Sequence, residues 1–179
     1  MKKIYSLVAF FMTLAVLTSC SSNEEVSDEQ NKLTINGKHY SVKSLAIERD
    51  FDRDGNRIFH LDMFNVTEQD FETALETETI INDLNVFSIT LKSGNLVSGT
   101  YRGLNELNYA FMVDGTWLGE YDDEQLLMKG ANGDEIELII HSISELNDIS
   151  LEFEVKRSNG STAVGTYEGK YFDFSNVIL

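Results

Sequence analysis

Proline and cysteine are almost absent from this chain of 179 residues, which has no proline and a single cysteine, Cys20. One cysteine cannot form a disulfide within a monomer, so the hydrophobic core must stabilise the fold. Histidine is also rare, and the three histidines, His39, His60 and His141, are dispersed. Because a zinc site needs several Cys or His ligands at short spacings, this class of site is excluded.

Positive charge is scarce as well: 14 Lys and Arg stand against 30 Asp and Glu, and the formal net charge is −16. A negative field of this strength repels phosphate groups. Nucleic acid is therefore a poor candidate for a partner. A basic protein, in contrast, would be attracted over long range, in a way that weakens with salt.

The first acidic residue is Glu24, and the amino terminus before it is basic and then apolar. Lys2 and Lys3 precede an apolar segment over residues 4–17. This segment has about 14 residues, whereas a membrane-spanning helix needs about 20. A basic start followed by a short apolar segment is typical of a signal peptide.

The apolar segment ends in LTSC at residues 17–20, which resembles the lipobox of bacterial lipoproteins. In that family the cysteine sulfur receives a diacylglycerol and the signal peptide is cleaved before the cysteine. The next residues, SSNEE at 21–25, resemble the serine and acidic segment of Bacteroidetes-type lipoproteins exported to the cell surface. The resemblance, which covers only residues 1–25, implies lipid attachment at Cys20 and display at the outer membrane, with its periplasmic face as the alternative.

Cleavage would divide the chain into a signal peptide over residues 1–19, a lipidated cysteine with a flexible acidic tether over residues 20–32, and a single β domain over residues 33–179. The mature chain would keep 12 basic and 30 acidic side chains, and its formal charge would be 12 − 30 = −18. Acylation of Cys20 would also leave no free thiol for catalysis.

Glycine-containing pairs divide the domain into short runs of alternating apolar and polar residues, which is typical of antiparallel hairpins. These pairs stand at residues 36–37, 54–55, 93–94 and 132–133. The clearest strand covers residues 149–156, where every second residue is apolar. Further strands are predicted at 39–48, 57–66, 85–92, 96–102, 108–113, 116–121, 125–129, 136–143, 162–168 and 170–174.

One segment departs from the alternating pattern. Residues 67–70 (TEQD) predict the start of a short helix over about 67–78, with Phe71, Ala74 and Leu75 facing inward. The remaining segments are strands, so the fold class is all-β. We predict an antiparallel β-sandwich or flattened barrel of about ten strands.

An internal repeat indicates that this domain is built from two related halves, roughly residues 33–103 and 108–174. FSITLKSGNLVSGTYRG at residues 87–103 and FEVKRSNGSTAVGTYEG at residues 153–169 align without a gap, and each contains Gly-Thr-Tyr. We interpret the first glycine of each unit as a site of close backbone approach, and the tyrosines as structural rather than ligand contacts.

An acidic run at residues 50–56 (DFDRDGN) is the candidate metal site. Asp50, Asp52 and Asp54 alternate ahead of a glycine, as in the first half of a calcium-binding loop, and hard cations prefer carboxylate oxygens. The twelfth position of such a loop should be Glu, but it is Leu61 here. The ordinary interpretation is an acidic hairpin turn, so Ca²⁺ is the less favoured of the two.

Aromatic residues form the candidate ligand site. Tyr109, Trp117 and Tyr121 lie on two neighbouring predicted strands that an Asp-Gly pair at residues 114–115 joins. An exposed platform of Trp and Tyr beside carboxylates would stack on sugar rings and bond to their edges. The alternative is that Trp117 is simply a large core residue.

These observations lead to two hypotheses about function. The first is a lipid-anchored, non-catalytic binding or accessory module for an extracellular ligand, either a glycan or a host protein. The alternative is a structural or inhibitory lipoprotein that binds a basic partner. A hydrolase is least favoured, because the sequence has no Gly-x-Ser-x-Gly motif and its many carboxylates form no distinctive pair.

Overall fold

The computed structural model describes residues 31–117 and 126–173. Cys20, with the lipobox-like segment that ends in it, and Tyr121 lie outside the described residues. The described residues form eleven strands and one helix, which confirms the all-β prediction. In chain order these are β1 Lys32–Ile35, β2 Lys38–Ser41, β3 Ser44–Phe51, β4 Arg57–Phe64, α1 Glu68–Thr77, β5 Ile81–Lys92, β6 Gly99–Arg102, β7 Leu107–Trp117, β8 Leu126–Lys129, β9 Glu135–Ile143, β10 Asp148–Lys156 and β11 Thr162–Phe172.

All strands belong to one mixed sheet with the order β6-β9-β10-β11-β3-β4-β5-β7-β8, and the β1–β2 hairpin joins it along β11. Strand β11 pairs with β10 and β1 over most of its length and then with β3 at Tyr171 and Phe172, in the one parallel pairing among the described strands. The sheet is not closed. Two layers result: β6, β9, β10, β11, β1 and β2 form the first, and β3, β4, β5, β7 and β8 form the second.

The main core lies between the two layers, which explains why alternate residues of both are apolar. Phe111 of the second layer and Phe153 of the first have ring centroids 5.8 Å apart. Phe87 lies beside Phe111 and is completely buried. Burying such large aromatic side chains between two sheets is the principal stabilising contribution in a chain that has no disulfide.

The helix covers the opposite face of the second layer and creates a smaller second core. Thr67 and Asp70 form the predicted capping box, each side chain accepting the backbone N–H of the other. Phe71 and Ala74 are buried as predicted, and the Phe71 ring lies 4.9 Å from that of Phe64. Leu75 is 37% exposed, so its predicted inward orientation is wrong. No helix in the described ranges has the length and apolar character needed to cross a membrane.

The glycine pairs have two different roles. Asn36 and Gly37 both have positive φ, as the tight β1–β2 hairpin requires, and Gly55 lies in the β3–β4 hairpin. The pairs at residues 93–94 and 132–133 instead lead from one layer to the other, since β5 does not pair with β6, nor β8 with β9. Half of the predicted hairpins are therefore crossings between layers.

The predicted break at residues 114–115 is also wrong, because β7 continues through it as one strand. Asp114 has a φ of 56°, and the register against β5 shifts nearby. The backbone N–H of Asp114 donates to Asn85 Oδ1 at 3.0 Å, which satisfies this group where the regular pairing is lost. A β-bulge held by a side chain thus replaces the predicted turn. Strand β11 is likewise continuous across the predicted gap at residue 169.

The two copies of the internal repeat differ in how they pair. In the second copy β10 and β11 form a hairpin, whereas in the first copy β5 and β6 lie in different layers. At Gly165 a Cβ would overlap the Phe153 ring, which confirms close approach there, but at Gly99 it would meet only the Tyr101 ring, at an ordinary contact distance of 3.9 Å. The hydroxyls of Tyr101 and Tyr167 donate to nearby backbone carbonyls, a structural role for both.

Candidate functional site

The predicted aromatic platform is not formed by Tyr109. This residue is 2% exposed in the main core, and its hydroxyl donates to Asp134 Oδ2 at 2.6 Å. Trp117 is half-buried and packs against the second core, with its ring 5.2 Å from that of Phe71. Tyr109 and Trp117 therefore pack on opposite faces of the second layer and do not share a surface.

The three aspartates proposed for calcium do not converge. Asp52 Oδ1 accepts the backbone N–H groups of Asp54 and Asn56 at 3.0 and 2.9 Å, and these bonds, with the Asn56 side chain, lower the pKa of Asp52. Asp50 Oδ1 accepts the N–H of Phe51. Within residues 31–117 and 126–173 no group of three or more His, Cys, Asp or Glu could hold a metal ion. Calcium binding stays a prediction without support from this geometry.

The histidines have local partners. His60 Nδ1 lies 3.1 Å from Thr90 Oγ1 on the helix-covered face of the second layer. His141 Nε2 lies 3.6 Å from Glu152 Oε1 on the outer face of the first layer. Asp62, two residues after His60 on β4, is half-buried. Desolvation raises the pKa of Asp62, although the Ser88 hydroxyl and His60 partly oppose this shift.

Replacing Asp62 by Asn should stabilise the protein at neutral pH. Because burial raises its folded-state pKa above the unfolded value of about 3.8, the ionised carboxylate opposes folding at pH 7, and this opposition disappears as the pH falls through the folded pKa. Denaturant unfolding of Asp62→Asn at neutral and acid pH should show a gain only at neutral pH. The exposed Asp50→Asn is the matched control, and an equal gain at both pH values would contradict the assignment.

Asp134, between β8 and β9, is a polar centre that the sequence analysis missed. Its carboxylate is buried and accepts hydrogen bonds from Tyr109 Oη and from the backbone N–H groups of Ala131 and Ser158. Arg157 Nε lies 3.5 Å away. Burial by itself would raise the pKa of Asp134, but the bond from Tyr109 and the two backbone N–H groups outweigh it and lower the pKa. All partners are internal, so this centre is structural.

A cleft of about 560 Å³ opens between the layers at the end of the domain where the β3–β4 hairpin, the β5–β6 connection and the β9–β10 turn meet. We name it the interlayer cleft. Its volume lies within the range of small-molecule sites. Its lining includes basic, aromatic and aliphatic side chains, namely Arg49, Phe51, Arg57, Phe59, Leu96 and Tyr171.

The alternation of β3 and β4 places four of these side chains in the interlayer cleft. Leu45 and Ile47 face the main core, and the same face of β3 continues to Arg49 and Phe51. Phe59 stands directly opposite Arg49, and Arg57 directly opposite Phe51. Along the inward-facing side of the β3–β4 hairpin, the aliphatic side chains of the core are therefore followed by arginine and aromatic side chains at the point where the two layers separate.

The two arginines of the interlayer cleft are not held in ion pairs by the described residues. Arg57 Nη1 donates to the carbonyl of Gly94 at 3.1 Å, and neither Arg49 nor Arg57 forms an ion pair within the described ranges. A smaller cavity of about 380 Å³ also has basic residues, but Arg102 pairs there with Glu137 and Lys156 with Glu154. The interlayer cleft is therefore the better candidate for binding an external group.

No protein-family model, curated protein sequence or solved structure matches this chain. The interlayer cleft must be judged by its own residues. Exposed apolar side chains adjoin it: Phe51 is 62% exposed, Val97 beside Leu96 is 51% exposed, and Leu146 in the β9–β10 turn is 76% exposed. Apolar side chains exposed together at the mouth of a concave site are typical of binding surfaces.

Sequence reasoning missed the interlayer cleft because its residues come from distant segments. Arg49 and Arg57 flank the acidic turn that drew attention to calcium, whereas Leu96 and Tyr171 belong to the other side of the cleft. The two-residue period of a strand is one available signal: it places residues 49 and 51 on the same face of β3 as the apolar Leu45 and Ile47.

Proposed function

We propose that this protein is a non-catalytic binding module of the bacterial cell envelope, anchored through lipid on Cys20, which holds an extracellular glycan in the interlayer cleft. The observation that carries the proposal is the combination of an open cleft, two arginines without ion pairs in the described ranges, and the exposed ring of Phe51. The lipobox at residues 17–20 supports the envelope location. Of the two ligand classes, a glycan is favoured over a host protein because the site is a cleft of small-molecule size.

The chemistry of the interlayer cleft fits a sugar. Sugar rings have apolar faces that stack on aromatic side chains, here Phe51 and Tyr171, and polar edges that hydrogen-bond to groups such as the Asn95 amide. Among the described residues that line the cleft, only Glu145 has a carboxylate. Glycoside hydrolysis generally uses a pair of carboxylates, so binding without catalysis is the function that this lining supports.

A protein partner is the second candidate. On the outer face of the first layer Glu137 stands directly opposite Glu154, and Glu152 lies two residues away, which favours a basic partner. Arg102 and Lys156 pair with two of these glutamates and reduce the charge that they present. We therefore prefer the interlayer cleft as the functional surface.

Phe51→Ala should weaken glycan binding without changing the melting temperature. Loss of an aromatic contact costs about 0.5–1.5 kcal/mol, roughly a two- to tenfold change in affinity, and an exposed ring contributes little to folding. Affinity electrophoresis of the detergent-solubilised lipoprotein through gels containing neutral or acidic oligosaccharides measures this change. Ile80→Ala is the matched control, because Ile80 is 61% exposed and follows the helix, away from the cleft lining. Equal retention of both variants would contradict the proposal.

A further inference from the structure

We infer that the ligand of the interlayer cleft is an acidic sugar, a glycan unit with one carboxylate such as a hexuronate, whose carboxylate is bound by Arg49 and Arg57. This inference rests on the proposed function and specifies its ligand. Neither arginine has an acidic partner in the described ranges, and both line the same cleft.

The register of β3 and β4 makes a shared anion site geometrically reasonable. Because Arg49 pairs with Phe59 and Arg57 with Phe51, the two arginines are diagonal neighbours on the same face of the hairpin. Diagonal neighbours lie roughly 7–8 Å apart, within the reach of long side chains. Both guanidinium groups can therefore approach one anion in the cleft.

Guanidinium groups match carboxylates well, because their planar N–H donors can form two parallel hydrogen bonds to the two oxygens. Arg57 uses Nη1 for the carbonyl of Gly94, which orients its side chain at the edge of the cleft and leaves other donors. Phe51, two residues after Arg49 on β3 and directly opposite Arg57, offers a surface for the apolar face of the sugar ring. An acidic sugar satisfies both the charged and the aromatic part of the site.

The negative net charge of the protein disfavours ligands that carry many negative charges. The net charge of −16 repels polyanions at distances up to the Debye length, and Glu145 adds a negative charge to the cleft itself. A single carboxylate on an otherwise neutral glycan gains the two arginines and meets little of this repulsion. A heavily sulfated chain places many charges against the acidic surface.

Binding measurements on the variant Arg49→Gln test whether the ligand is an acidic sugar. The probes are a neutral oligosaccharide that carries a single galacturonic acid residue, its methyl ester, and a sulfated oligosaccharide of similar length, each titrated against the full lipoprotein in detergent. Loss of a charge-assisted bond should weaken binding of the free acid about ten- to hundredfold and leave binding of the methyl ester unchanged. Arg53→Gln is the matched control, because this substitution removes the same charge from the same hairpin. Arg53 is exposed in the β3–β4 turn. The control variant should bind all three probes like the parent protein.

The outcomes distinguish this inference from the proposed function. Equal binding of the free acid and the methyl ester, both lost in Phe51→Ala, would overturn the acidic sugar and leave a glycan-binding cleft. Tighter binding of the sulfated probe would overturn the assignment of a single carboxylate. Binding of no probe would overturn both. An unchanged melting temperature of Arg49→Gln, whose parent side chain is exposed and unpaired within the described ranges, shows that lost binding is not lost folding.

Discussion

Replacing Asp134 by Ala should lower the free energy of unfolding by about 3–5 kcal/mol, the cost of removing one partner from a buried charged pair. The side chain of Asp134 is completely buried and ties the β8–β9 connection to Tyr109 on β7 and to the β10–β11 turn at Ser158. Its loss leaves the Tyr109 hydroxyl and two backbone N–H groups without an acceptor. Arg157 Nε, which has no hydrogen-bond partner in the described structure, would lose its neighbouring charge as well.

Denaturant unfolding monitored by aromatic fluorescence or circular dichroism measures this loss. Asp54→Ala is the control, because Asp54 is exposed at the β3–β4 turn and should change stability by less than about 0.5 kcal/mol. A similarly small effect of Asp134→Ala would contradict the assigned role. Because the folded-state pKa of Asp134 is lowered, its contribution is complete above the unfolded value near 3.8 and is lost as the pH falls through the folded pKa. The difference between parent and variant should therefore shrink below about pH 4.

Gly165→Ala should destabilise the domain by about 1–3 kcal/mol or more, as overpacking of a tight core does. Gly165 on β11 stands directly opposite Phe153 on β10, and the Phe153 ring lies across the glycine. An added Cβ would overlap that ring and lie 3.1 Å from Leu33 Cδ1. Phe153 packs against Phe111 in the main core, so neither the ring nor Leu33 can move without disturbing the contact between the layers.

Gly99→Ala is the matched control for Gly165→Ala, because it changes the equivalent glycine of the other Gly-Thr-Tyr unit. The nearest atom to its added Cβ would be 3.9 Å away on Tyr101. This variant should be neutral or more stable by up to about 1 kcal/mol, since alanine restricts the unfolded chain. The double variant Gly165→Ala, Phe153→Leu should recover part of the loss by making room. Equal destabilisation by Gly99→Ala and Gly165→Ala would show that close packing is not the cause.

The two glycines also illustrate how far an internal repeat predicts structure. Both copies of the repeat begin with a phenylalanine, Phe87 and Phe153, and both of these residues are buried. It does not predict pairing, because β10–β11 is a hairpin while β5 and β6 join different layers. Identical short motifs specify local conformation, whereas the partner of a strand depends on which surfaces remain to be buried after the rest of the chain has folded.

The candidate site was less predictable than the fold. Tyr109 was proposed as a ligand contact from its residue type, but its position facing the main core makes it a partner of Asp134. Asp134 itself stands in a polar connection, ANGDE at residues 131–135, that reads as a solvated turn. Only the approach of Tyr109 and Ser158 from other segments turns this carboxylate into a buried acceptor. Its role has no local signature in the sequence.

Features that depend on neighbours along the chain can be predicted from the amino-acid sequence without tertiary information. The alternation of β10, the positive-φ hairpin at Asn36 and Gly37, and the Thr67 and Asp70 capping box are all of this kind. The tertiary structure alone decided which distant segments meet: the crossings after residues 93 and 132, the burial of Asp134, and the convergence of Arg49 and Arg57 with the opposite layer. The physical reason is that local hydrogen bonds and backbone angles involve residues a few positions apart, whereas burial depends on how the two layers pack against each other.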